Sequence, residues 1–170
     1  MVLDCGICRL RPWRRGDGAA LVRAADNPNV ARYLRDRFPH PYTLDDARAW
    51  IEINEASDPQ THFAVTIDDV PIGGAGFILH DREERATAEV GYWIAEPHWG
   101  RGIAPAALRV LTDYAFATHG LARISSVVMH PNLASQRVLE KVGYEREGVM
   151  RRAVVKNGET YDLVVFAKLR

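Results

Sequence analysis

The apolar positions change period several times along the chain, and each change marks an element. In THFAVTI, Phe63, Val65 and Ile67 alternate with their neighbours, which is the two-residue period of a strand. DDVP supplies a turn into a second extended run, IGGAGFIL. ATAEVGYWIA is a third, with Ala88, Val90, Tyr92 and Ile94 on one side and Glu89, Gly91 and Trp93 on the other. Beyond Trp99-Gly100-Arg101-Gly102 the period lengthens to that of a helix, in which Ala104, Ala107, Leu108, Leu111 and Ala115 form one stripe. Pro105 suits its first turn, where some N–H groups lack helical partners anyway, and His119-Gly120 ends it.

The flanking segments extend this order. GICRLRP reads as a first strand. GDGAALVRAADNPNVARYL reads as two short helices parted at Asn27-Pro28, because proline disfavours helix in the residue before it. In TLDDARAWIEINEA, Thr43 caps a helix whose first turn carries Asp45 and Asp46. ARISSVVM is a strand and NLASQRVLEKVG a helix stopped at Gly143. YEREGVMRRAVVK and ETYDLVVFAKL form a hairpin turning at Asn157-Gly158. The order strand, helices, three strands, helix, strand, helix, hairpin predicts an α/β sheet of mixed direction, with the strand-helix-strand crossover supplying a parallel pair.

Length and composition place this pattern in one domain, residues 1–170, with nearly half of the residues hydrophobic (47%) and about a quarter charged (26%). Lys plus Arg equals Asp plus Glu at 22 each, which argues against a nucleic-acid binder built on a broad basic face. No apolar run reaches membrane-spanning length, so the expectation is a cytoplasmic protein without a membrane partner. Cys5 and Cys8 form C-x-x-C, but no second pair completes a zinc site and the motif does not open a helix. Two ordinary thiols are expected there, and no metal.

The glycine turn holds the first candidate chemistry. Gly100 and Gly102 let backbone N–H groups face outward, directly ahead of a helix N-terminus with its unpaired N–H groups and partial positive charge. A plain strand-to-helix turn would use the same residues. The dinucleotide fingerprint fails at Pro105, and the P-loop's Gly-Lys-Ser/Thr is missing. Trp99-Gly100-Arg101-Gly102-Ile103-Ala104 instead resembles the Q/R-x-x-G-x-G/A loop with which the GNAT N-acyltransferase superfamily holds the pyrophosphate of acetyl-coenzyme A. Trp99 stands in the Gln/Arg slot, a version similar to the RimJ/RimL branch, whose known members acetylate N-termini of ribosomal proteins. AEVGYWIAEPHWG, NLASQRVLEKVGYEREG, YDLVVFAKL and CRLRPWRRGD resemble further segments of that branch, so the likeness runs from about Arg9 to Leu169. It implies a single-domain GNAT-like fold, with a mixed, mostly antiparallel central sheet of about seven strands, a parallel central pair and flanking helices.

Acyl transfer from a thioester to an amine needs a neutral amine, a stabilised oxyanion and a protonated leaving thiolate. The resemblance implies a main-chain N–H near Trp93 or Ile94 as oxyanion donor, and Asn132 against the cofactor arm. Asn132 also suits a helix N-cap. Glu89, a carboxylate in an apolar run, is the candidate base, with a solvent-face or orienting role as the alternative. The slot where many GNAT enzymes carry a tyrosine holds Leu139, so Ser135 is expected to donate a hydrogen bond to the thiolate. Some ribosomal-protein acetylases carry a glutamate where Val154 stands. His130 is a weaker candidate. The expected function is transfer of an acetyl group from acetyl-CoA to a primary amine, a protein N-terminal amine among the acceptors, with coenzyme A as product. A small-molecule amine, a succinyl donor and a non-catalytic acyl-CoA-binding module remain alternatives. Arg32, Arg35 and Arg37 would either favour an acidic acceptor or form a solvated basic face. The C-terminal hairpin can pair across a homodimer.

Overall fold

Local chemistry sets most element boundaries in the computed structural model, which describes residues 1–170. Helix α1 (Gly18–Ala25) stops at Asp26, and α2 (Pro28–Ala31) starts two residues later, with Asn27 accepting the Asn29 N–H and proline in its first turn. Thr43 and Asp46 close a reciprocal capping box on α3 (Leu44–Glu55). Strand β3 (His62–Ile67) turns into β4 (Val70–Leu79) through Asp68 and Asp69, both at positive φ. Then come β5 (Thr87–Ile94), α4 (Ile103–His119), β6 (Arg123–Met129), α5 (Leu133–Val142), β7 (Glu145–Lys156) and β8 (Glu159–Leu169).

The sequence expectation of about seven strands is one short. Leu3–Asp4 forms β1, paired antiparallel with β2 (Arg9–Arg11), and Cys5-Gly6-Ile7-Cys8 is the turn between them rather than the start of a strand. Two residues cannot display a period, so β1 leaves no pattern to read. Eight strands are hydrogen-bonded in the order β1-β2-β3-β4-β5-β6-β8-β7. Only β5 and β6 run parallel among the pairings from β5 to β7, over Thr87↔Arg123, Ala88↔Ile124 and Glu89↔Ser125.

The chain divides into two compact bodies, and β4, β5 and α4 each contribute residues to both. The first body comprises Met1–Phe77 and Gly91–Leu111. Its core packs Trp13, Leu21, Ala25, Tyr42, Ala47, Ile51 and Ala64, edged by the half-buried Phe38, Trp50 and Trp93. Arg11, fully buried, forks onto Asp17 at 2.7 and 2.9 Å and also reaches Asp69 at 2.6 Å. That ties β2 to the turn before α1 and to the β3–β4 turn. The second body comprises Ile78–Val90 and Thr112–Arg170. Ile124, Leu139, Val142, Val164 and Phe166 lie in its core, where Thr112 and Tyr144 share a buried hydroxyl hydrogen bond of 2.8 Å.

Candidate active site

Strand β5 places its polar backbone by parity. Within a strand the N–H and C=O of one residue point to one side, and the side alternates with each residue. Thr87 turns its carbonyl to the N–H of His80, next to β4, and the Ala95 N–H reaches the Ile72 carbonyl on β4 at 2.8 Å. Even-numbered residues therefore face the other way. The Ala86 carbonyl accepts the Ala122 N–H, the Ala88 carbonyl the Ser125 hydroxyl at 3.3 Å, and the Val90 carbonyl the Ser126 hydroxyl at 3.1 Å. The Ile94 carbonyl accepts the Trp99 indole N–H at 2.7 Å. The Ile94 N–H shares that direction, away from β4.

Side chains, not a ladder, thus hold part of this edge. Backbone pairing with β6 ends at Glu89↔Ser125, and Ser126 takes up the next carbonyl. Neither serine was singled out from the sequence. Their signal was present in ARISSVVM, where two adjacent hydroxyls interrupt an apolar strand.

The glycine turn follows directly. Gly100 and Gly102 both take positive φ, +71° and +77°, and the first helical bond of α4 runs from the Ala106 N–H to the Gly102 carbonyl. A Cβ on Gly100 would meet nothing within 4 Å, whereas one on Gly102 would meet Ile7 Cδ1 at 3.8 Å. Trp99 remains half exposed (49%) although its indole pins the end of β5. Arg101 reaches only His98, at 3.2 Å, while Ile103 is buried and Ala104 half-buried. Ahead of the turn, both carboxylate oxygens of Glu96 are taken, by Asn27 at 2.6 Å and Asn29 at 2.9 Å. This clamp joins α2 to the segment between β5 and the turn, and sequence reading missed it because the partners lie about 70 residues apart.

Trp93 and Ile94 owe their placement to β4. A Cβ on Gly73 would run into the Trp93 carbonyl oxygen and stand 2.9 Å from Ile94 Cδ1. One on Gly74 would lie 2.8 Å from the Trp93 indole nitrogen. The glycines of IGGAG are thus what lets β5 approach.

The remaining candidates belong to the second body. Glu89 is half-buried on β5, opposite Ser125. Asn132 caps α5, its side chain accepting the Ser135 N–H at 3.2 Å, and Ser135 is half-buried in the first turn. Leu139 is fully buried, so the tyrosine slot faces the core. His130 uses its backbone, donating to the Asp162 carbonyl and accepting from Gln136. Asp162 also accepts the Arg152 N–H at 2.7 Å, where β7 loses register between Met150 and Val154. Trp93, Ile94 and Trp99 to Ala104 thus form one continuous stretch of the first body, while Glu89, Asn132 and Ser135 lie in the second.

The acetyltransferase (GNAT) domain family matches residues 8–145. The chain belongs to the GNAT acetyltransferase family. Among its relatives, the Bacillus subtilis protein named "Probable N-acetyltransferase YjcK" is 39% identical over 133 residues, covering 75% of this chain and 74% of that one. Mycobacterium smegmatis RimJ, solved in complex with CoA-disulfide, matches with a TM-score of 0.82 and 26% identity, over 99% of this chain and 86% of that one. RimL, the ribosomal L7/L12 alpha-N-protein acetyltransferase solved with coenzyme A, has the same fold. It matches with a TM-score of 0.88 at 19% identity, over 99% of this chain and 98% of RimL. This GNAT enzyme is therefore an N-acyltransferase with acetyl-CoA as its acyl donor and an amine as its acceptor. Among its groups of His, Cys, Asp and Glu, no three come together as a metal site, and no helix is long and apolar enough to cross a membrane.

Proposed function

We propose that this GNAT enzyme acetylates the N-terminal amine of a protein or peptide in the cytoplasm, in the manner of the RimJ/RimL branch, with residues 1–170 acting as one catalytic domain. The observation that carries the chemistry is the end of β5. The Ile94 N–H turns away from β4 while its carbonyl is already occupied by Trp99, so that side of Ile94 offers a donor and no competing acceptor. Support for the acceptor class comes from the resemblance of Trp99 to Ala104 and of the segments flanking it to the RimJ/RimL branch.

The glycine turn fits a pyrophosphate. Two positive-φ glycines present backbone N–H groups, the space where a Gly100 Cβ would stand is open, and the Ile103 and Ala104 amides begin a 17-residue helix. Trp99 to Ala104 would hold the phosphates, with Arg101 as a nearby cation and Asn132 against the cofactor arm. Bound acetyl-CoA supplies an activated thioester carbonyl and a thiolate leaving group. The Ile94 amide donates to the carbonyl oxygen as negative charge builds there, and the Trp93 amide, directed at β4, does not. Glu89 draws a proton from the acceptor amine, directly or through water. The Ser135 hydroxyl donates a hydrogen bond to the departing sulfur.

Thiol release from acetyl-CoA, measured across N-terminal peptides and small amines together, tests this reading. Turnover of peptides with free N-termini is expected, with Glu89→Gln and Ser135→Ala each lowering kcat by about 10²-fold or less. Turnover confined to polyamines or amino acids would overturn the acceptor assignment. Tight CoA binding without turnover of any amine would make the protein a binding module.

A further inference from the structure

The turn between β1 and β2 brings two cysteines together beside the glycine turn. Asp4 pairs with Arg9 across the two strands, and the Cys5 N–H donates to the Cys8 carbonyl at 3.0 Å, so Cys5 and Cys8 stand opposite each other. Opposed residues in a hydrogen-bonded antiparallel pair have Cα atoms about 5.5 Å apart. That lies inside the Cα range a disulfide spans, about 4.4–6.8 Å. The Cβ atoms of opposed residues stand about 4.5–5.5 Å apart against about 3.5–4.5 Å in a disulfide, so closure must draw the turn's backbone inward. The Cys5 thiol donates to the Leu3 carbonyl at 3.8 Å, and neither cysteine is in a disulfide. Interaction with Cys5 lowers the pKa of Cys8, while interaction with Cys8 and burial push Cys5 up. Such a pair loses one proton readily and holds the other.

What the turn touches gives the pair a use. Ile7, at its tip and 54% exposed, is the one side chain that a Cβ on Gly102 would meet, at 3.8 Å. Gly6 holds the tip at a φ of +80°, so the position of Ile7 follows the backbone of Cys5-Gly6-Ile7-Cys8. We propose that Cys5 and Cys8 form a reversible disulfide whose closure shifts Ile7 against Gly102 and weakens coenzyme A binding. The coupling, though not the disulfide, rests on the reading of the glycine turn as the pyrophosphate site.

The chemistry needs only a small disulfide as oxidant. One protein thiolate attacks its S–S bond, forming a mixed disulfide and expelling one small thiolate. The second cysteine loses its proton and attacks the first, breaking the mixed disulfide and expelling the other thiolate. Two protein thiols become one disulfide as one small disulfide becomes two thiols. The pair belongs to no group of three His, Cys, Asp or Glu that could hold a metal ion, which favours this over a metal clasp.

Equilibrating the full chain in glutathione buffers of increasing oxidised fraction tests the proposal. Mass spectrometry should show loss of two hydrogens within the Cys5–Cys8 peptide, whereas Cys5→Ser should stop at a mixed disulfide with glutathione. Calorimetric titration with acetyl-CoA, whose sulfur is blocked as a thioester and cannot reduce the disulfide, should find it bound about fivefold or more weakly by the oxidised protein. By linkage, saturating acetyl-CoA should raise the ratio of oxidised glutathione to the square of reduced glutathione needed for half conversion by the same factor. Ile7→Ala should still form the disulfide yet lose most of that difference. Thiols that stay free in fully oxidised glutathione, or equal affinities of the two forms, would overturn the proposal. If Gly102→Val binds coenzyme A normally, the pyrophosphate reading fails instead, while disulfide formation is read separately by mass.

Discussion

At the scale of single residues, Gly102 and Trp99 act through the backbone. A φ of +77° costs a residue bearing a Cβ about 1–2 kcal/mol before any ligand is considered. Gly102→Val should therefore lower the melting temperature modestly and weaken acetyl-CoA binding severely, the first read by calorimetry and the second by titration. A folded variant with unchanged affinity would dissociate the turn from the phosphates. Trp99→Phe keeps an aromatic ring but removes the donor that occupies the Ile94 carbonyl. Its expected signature is a fall in kcat larger than any rise in KM. His62 gives a pH effect. Burial, with Arg37 nearby, lowers its pKa from the ordinary value. The unfolded chain then binds more protons below about pH 6.5, so stability should drop as pH falls through and below that value. In His62→Gln, part of that acid dependence should vanish, visible as a flatter plot of melting temperature against pH.

At the scale of elements, Asp162 explains an aspartate that the sequence offered only as part of a resemblance. Its carboxylate accepts the Arg152 N–H where β7 slips register, and its carbonyl holds His130 just ahead of α5. Asp162→Ala should cost about 1 kcal/mol, measured by denaturant unfolding. Elements with sustained periodicity were legible before the structure: β3, β5, α4, α5 and the Asn157-Gly158 hairpin all lie where the sequence placed them. Capping chemistry fixed α2 and α3 through Asn27 and Thr43. β1 was not legible, being too short to alternate. The glycine turn was, because φ above zero demands glycine at Gly100 and Gly102. The serines that hold the β5 edge were not, since a hydroxyl's partner in another strand leaves no local signature.

At the scale of the molecule, buried charge organises the first body. Arg11 unites β2, the turn before α1 and the β3–β4 turn by forking onto Asp17 and reaching Asp69. Removing one side of such a pair leaves the other buried and uncompensated. Arg11→Ala should therefore destabilise by about 3–5 kcal/mol in denaturant unfolding. Asp69→Ala, whose carboxylate is largely exposed, should cost far less. The contrast was invisible in the sequence, where arginines and aspartates look alike until burial separates them.

The close approach of β4 to Trp93 and Ile94 bears on how this enzyme can evolve. Gly73, Gly74 and Gly76 touch no reacting atom, yet any side chain at the first two collides with β5, and one at Gly76 meets His62. A library aimed at new acceptors would lose most of its members at these three positions without sampling any new specificity. At the half-buried Phe38 and Trp50, by contrast, side chains can change without forcing two strands apart.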